Sequence, residues 1–171
     1  MRLNEIIGEK DEGKDPDGTY VGMKVSKETR DNIWNMTKSL EVPNPLDKKD
    51  YHVTVIFSRK YLPTFSAKGK LKEPLIGKPE KFEIFPARND KNCLVLRFSC
   101  PELNKRHHYI MNTYDAKYDF DQYKPHITLS YDVGDFDPSG IDPSTYIDEI
   151  ELTEEYDEEL QLDWLANKND K

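Results

Sequence analysis

From Thr19 to Val25 the chain alternates, with Val21, Met23 and Val25 on one side and Tyr20, Gly22 and Lys24 on the other. Successive side chains of a strand leave on opposite faces, so this stretch reads as a half-buried strand. The period then changes. Ile33, Met36 and Leu40 recur at helical spacing, with Trp34 beside them. Ser26 stands where an N-cap belongs, and Glu28 places a negative charge in the first turn, where the helix dipole favours it. Pro43 and Pro45 close that unit. Tyr51 to Val55 is the next strand.

The stretch Arg59–Pro86 is strand-and-turn material rich in lysine (Lys60, Lys68, Lys70, Lys72, Lys78, Lys81), most simply a solvated face. Within it Phe82–Phe85 reads as a strand, Arg88–Asn92 follows as a turn, and Cys93–Cys100 is a further strand. Pro101 suits the first turn of a helix, with Ser99 or Cys100 before it. That helix runs to about Tyr114 on the spacing of Leu103, His107 and Ile110. A strand over Lys124–Tyr131, a Pro/Gly/Asp loop over Gly134–Ser144 and a strand over Tyr146–Leu152 follow, and the tail ends in Leu160–Leu165. The polar, turn-forming residues before Tyr20 read as loop and as the candidate lid. Each half runs strand, helix, strand, which predicts two similar α+β lobes facing each other across a pseudo-twofold axis.

The candidate chemistry lies in the strand that follows each helix. Tyr51-His52-Val53-Thr54-Val55 and Pro125-His126-Ile127-Thr128-Leu129 repeat one pattern, and they use two of the four histidines in the chain. Alternation puts His52 and Thr54 on one face and Val53 and Val55 on the other, and likewise His126 and Thr128 against Ile127 and Leu129. Facing lobes would bring all four polar side chains to one cleft. An imidazole titrating near neutrality can act as acid or base, and two can share the proton transfers of phosphodiester cleavage. Threonine hydroxyls can donate to phosphate oxygens as charge develops there.

Charge narrows the partners. The 25 basic and 33 acidic residues give −8, which disfavours gripping long nucleic acid through its phosphates and leaves room for a small anion in a locally basic cleft. No run resembles a signal peptide or a membrane span, so a cytosolic protein without a membrane partner is expected. Cys93 and Cys100 would sit about 23 Å apart in an extended strand, too far for a disulfide. His107 and His108 are adjacent and lack metal-ligand spacing. His107 is read as packing and His108 as surface. The acidic run Asp148–Glu159 lacks calcium-loop spacing and reads as a solvated face. No metal or cofactor is expected.

Paired His-x-Thr strands in a chain of 171 residues resemble the 2H phosphoesterases, and the resemblance spans Tyr20 to Trp164. It implies one domain over residues 1–171: two intimately packed lobes of mostly antiparallel sheet, helices outside and a central cleft. Gly18-Thr19-Tyr20, Tyr123-Lys124-Pro125-His126-Ile127-Thr128-Leu129-Ser130 and Glu158 six residues before Trp164 resemble one branch, the phage anti-CBASS proteins of T-even phages. The branch implies cleavage of cyclic di- and trinucleotide messengers of bacterial antiphage signalling. Catalysis would fall to His52, Thr54, His126 and Thr128. Tyr20 and Trp164 would stack on bases, Glu158 would accept from a base edge, and Lys24 or Lys124 would neighbour phosphate. Two other readings stay open: a 2′,3′-cyclic phosphodiesterase of RNA ends or small nucleotides, and a non-catalytic cyclic-nucleotide sponge. Oligomeric state is open.

Overall fold

The strand–helix–strand order of each half is realised twice. A computed structural model describes residues 17–86, 90–117 and 122–160. The first half contains β1 (Gly18–Val25), α1 (Lys27–Ser39) and β2 (His52–Ser58). After a long β3 (Gly69–Pro86), the second contains β4 (Asn92–Ser99), α2 (Pro101–Tyr114) and β5 (His126–Ser130). The described residues end with β6 (Ile150–Leu160).

Ser26 caps α1 as its side chain predicts, accepting from the Thr29 amide at 3.1 Å. Pro101 opens α2 after Cys100, its missing N–H costing nothing at that position.

The strands are ordered β2-β1-β6-β3-β4-β5, and every neighbouring pair is antiparallel. Read inwards from either edge, the sheet gives a histidine strand, then the strand that precedes its helix, then one of the two central strands. β3 belongs to both halves. Its residues up to Gly77 pair with β6, and from Lys78 onwards it pairs with β4. Gly77 marks that crossover, because a Cβ there would lie 2.6 Å from the Phe98 ring. This is an α+β fold of two antiparallel lobes.

The apolar sides of the strands form the core. Val21, Met23, Val53 and Val55 in the first lobe and Leu94, Leu96, Ile127 and Leu129 in the second are buried, along with Ile33 and Met36 of α1 and Leu103 and Ile110 of α2. Trp34 packs against this core from its edge. Helix α2 also reaches strands of the other lobe. Its Arg106 makes a two-pronged bond to the buried Glu155 of β6, with both N–O distances 2.8 Å, and its His107 bonds the Val55 carbonyl of β2.

Three expectations change. The last strand is Ile150–Leu160 rather than Tyr146–Leu152, and Tyr146 instead follows a single 3-10 turn, Pro143–Thr145. The acidic run is therefore largely strand, and Glu155 within it is buried, compensated by Arg106 and by the Lys68 amide at 2.9 Å. A register shift against β1 between Lys24 and Val25 breaks the alternation that would have revealed this strand. The Phe82–Phe85 strand is the end of the 18-residue β3, much of whose lysine-rich length is exposed as expected. Cys93 and Cys100 are free thiols. His107 is buried and His108 exposed, as read from the helix.

Candidate active site

Each histidine strand carries its imidazole in the same way. His52 Nδ1 lies 2.9 Å from the carbonyl of Asp50, and His126 Nδ1 lies 2.7 Å from the carbonyl of Lys124. A carbonyl only accepts, so Nδ1 carries the proton in both rings. In the neutral imidazole Nε2 is then left as the acceptor. This two-residue backward reach is local to the residues that enter each strand. Edge-to-face rings fix the planes further: Tyr20 against His52 at 6.2 Å and Phe85 against His126 at 5.1 Å between centroids.

The register places a cation beside each histidine. Lys24 of β1 is the strand partner of His52, and Arg97 of β4 is the partner of His126. Each cation faces a carboxylate from the next strand inwards: Lys24 with Glu154 at 3.8 Å, Arg97 with Glu83 at 2.6 Å. The arrangement repeats the pseudo-twofold at the level of charge. Arg97 is the tighter case, being nearly buried, and its Nε has no hydrogen-bond partner among the described residues.

Thr54 is held as well. Tyr20 Oη and Thr54 Oγ1 are 3.0 Å apart. Burial, reinforced by neighbouring Tyr156 and Glu158 and opposed by the Thr54 bond, raises the Tyr20 phenol far above its ordinary range, so it stays a donor. Thr54 can accept that proton and keep its own O–H for a ligand. In the second lobe burial raises the Cys93 thiol, with neighbouring Thr128 opposing the shift, so the thiol stays protonated. Gly22, strand partner of Thr54, gives the room. A Cβ there would lie 2.7 Å from the Tyr156 ring and 2.9 Å from that of Tyr20.

Thr54 and His126 line one cavity of about 780 Å³, walled by Phe57, Ile84, Phe85 and Tyr123. Its size and apolar wall suit a nucleotide base and sugar. Burial lowers the His126 pKa most. The Lys124 carbonyl opposes that, Arg97 and His52 lower it further, and Glu83 opposes in turn. His52 lies near enough for its charge to contribute to that shift, although it does not itself line the 780 Å³ cavity.

Among the sequence-predicted site residues, His52, Thr54, His126 and Thr128 lie on the two strands that flank this cleft. Tyr20 lies beside His52 and Thr54, and Glu158 is its exposed partner on β6. Lys24 opposes His52, and Lys124 lines the cavity with His126. Trp164 and the candidate lid before Asp17 lie outside the described residues. Sequence reasoning missed Arg97, Glu83, Phe85, Cys93 and Tyr156 as neighbours of the site. One signal was available: Arg97 interrupts the apolar run of Cys93-Leu94-Val95-Leu96. No cluster of three or more metal-ligating side chains occurs among the described residues.

A two-lobed antiparallel α+β fold with a His-Thr pair on one strand of each lobe is the fold of the 2H phosphoesterases. A phosphoesterase crystal structure matches with a TM-score of 0.51 at 16% identity, over 84% of this chain and 87% of that one. Escherichia coli LigT in its NADP+ complex matches at 0.50 with 17% identity and the same coverage. The sequence model described as anti-CBASS protein Acb1 matches residues 17–167, and the chain belongs to that family. Enterobacteria phage T4 carries a relative 37% identical over 147 residues, covering 86% of this chain and 91% of that protein. A Vibrio phage KVP40 relative is 32% identical over 152 residues, covering 89% and 93%. Both are anti-CBASS proteins Acb1, and membership carries an anti-CBASS function.

Proposed function

We propose that the protein is a phosphodiesterase that opens cyclic di- and trinucleotide messengers at a 3′–5′ bond and so disables CBASS signalling in the host cytosol. The observation that supports this best is the pair of Nδ1-anchored imidazoles, His52 and His126, held alike and each two residues from a threonine on its strand. The scissile phosphate sits between the two strands, and Thr54 and Thr128 donate to its non-bridging oxygens.

The neutral form favoured at His126 is the form a general base needs. His126 Nε2 takes the proton of the ribose 2′-OH, whose oxygen attacks phosphorus in line. The P–O5′ bond breaks, and His52 in its imidazolium form gives its Nε2 proton to the departing 5′-oxygen. The product is a linear oligonucleotide ending in a 2′,3′-cyclic phosphate. Water can later open that ring to a 3′-phosphate with the histidine roles reversed. Tyr20 and Trp164 offer stacking surfaces for the bases, and Glu158 accepts from a base edge.

The test is cleavage of a 3′,3′-linked cyclic dinucleotide in EDTA by the wild type, His52→Ala and His126→Ala. Each variant is expected to lose about 100-fold or more in rate, the range of a lost acid or base. A messenger lacking the attacking 2′-OH should stay intact, and rapid turnover of it would refute the in-line mechanism. Turnover of 2′,3′-cyclic AMP alone would make this an RNA-end enzyme, and binding of the dinucleotide without any cleavage would make it a sponge.

A further inference from the structure

His52 also walls a second cavity, of about 520 Å³, that neither Thr54 nor His126 touches. Lys24 from β1, Lys27 and Arg30 from α1 and Lys49 from the 3-10 turn Lys48–Asp50 line it, and Asp50 is the one carboxylate among its lining residues. The backbone carbonyl of Asp50 holds His52, and its carboxylate is the single negative charge set against the cations of the wall. Four cations thus stand against one carboxylate in a chain whose net charge is −8.

Their partners separate them. Lys27 is paired with Asp31 at 2.8 Å, and Lys24 faces Glu154 at a looser 3.8 Å. Among the described residues Arg30 and Lys49 form no ion pair. Asp31, the acid nearest to them in sequence on α1, is taken by both Lys27 and Lys48 at 2.8 Å. A guanidinium and an ammonium left uncompensated beside a catalytic imidazole raise the local potential for a second anion. Ser26, Thr153 and Tyr156 add hydroxyls to the same wall.

We propose that this cavity holds a second phosphodiester of the substrate, one that is not cleaved. The proposal rests on the reading of the protein as a cyclic-oligonucleotide phosphodiesterase and makes that reading more specific. With the scissile phosphate between the histidine strands, the apolar cavity receives one nucleoside. The basic cavity on the far side of His52 receives the next phosphate along the ring. The minimum ligand is therefore a molecule with two phosphates. A 2′,3′-cyclic mononucleotide fills only the first position and gains nothing from Arg30 or Lys49.

The experiment compares wild type with Arg30→Gln/Lys49→Gln, and with the single exposed change Lys49→Glu in case the double variant folds poorly. Calorimetry measures affinity for a 2′-deoxy cyclic dinucleotide, which binds without being cleaved. Kinetics measures KM and kcat on the ribose form across a salt series. The expected result is an affinity loss of about tenfold or more, a KM rise with kcat held within a few-fold, and a salt dependence shallower by about one to two phosphate contacts. Weak handling of 2′,3′-cyclic AMP should be unchanged. Equal dinucleotide affinity and equal salt slope in a folded variant would overturn the proposal. Failure of the wild type to cleave, with the affinity difference intact, would instead overturn the catalytic reading and leave the subsite. No binding of the dinucleotide by the wild type would remove both.

Discussion

The imidazole of His107 stacks on the ring of Tyr123, with centroids 4.2 Å apart and planes within 8°. From this stack His107 Nδ1 donates to the Val55 carbonyl at 2.7 Å, and Tyr123 Oη donates to the Thr54 carbonyl at 2.6 Å. Between Gly22–Thr54 and Val21–Ile56 the β1 ladder skips Val55. Helix α2 and the segment before β5 therefore hold the irregular stretch of β2 that carries Thr54. Tyr123→Phe removes one of the two bonds and keeps the stack. We expect kcat to fall about tenfold with KM little changed, since small misplacements of a catalytic group are costly. Stability should drop by about 1 kcal/mol, the net worth of one hydrogen bond. Steady-state kinetics beside a denaturant titration separates the two effects; a pure KM change would argue against positioning.

His107 also predicts how stability responds to acid. Burial depresses its pKa, with His108 adding to the shift and the Val55 carbonyl opposing it. The unfolded chain then binds the proton more readily than the folded one. Stability is full above the ordinary histidine pKa of 6.5 and is lost as pH falls from there through the lower folded value. His126 acts in the same direction. His107→Gln can still donate to Val55 but does not titrate. Its stability should fall less steeply than that of wild type below pH 6.5, as melting temperatures across a pH series would show. Parallel curves would place the acid sensitivity elsewhere.

Burial places the acidic limb of the rate profile, and Arg97 should shift it further. Its positive charge lowers the His126 pKa, so removing it favours the imidazolium. Arg97→Gln is expected to move the acidic limb of log kcat/KM to higher pH. Glu83→Gln should move it to lower pH, because that carboxylate opposes the shift. Displacements of the same sign in the two variants would contradict the assignment of His126 as base.

The Arg106–Glu155 pair has nearly all its area out of water, Glu155 being 1% exposed. Arg106→Met strands that carboxylate and should cost about 3 kcal/mol or more. Urea unfolding measures it directly, and a loss under 1 kcal/mol would mean that water reaches Glu155. The cation's contribution here is to compensate a charge already committed to the interior.

The two His-Thr pairs were legible because two residues two positions apart on a strand share a face whatever surrounds them. Ser26 and Pro101 were legible for the same reason: capping is decided within four residues. Arg97 and Glu83 were not, because their meeting depends on how β4 is registered against β3 across 14 residues of sequence. β6 was hidden by its own chemistry. Its buried positions include Glu155, and burial of that residue follows from an arginine on α2, 49 residues away. The basic cavity is assembled from β1, α1 and a 3-10 turn, so no single window of sequence contains it.

The strand Gly69–Pro86 is a spine common to both jaws of the cleft. The spacing of the jaws is consequently set in part by a ladder of backbone hydrogen bonds that runs from one to the other. Because both jaws hang on the same strand, dividing the chain there should cost the two of them their shape together.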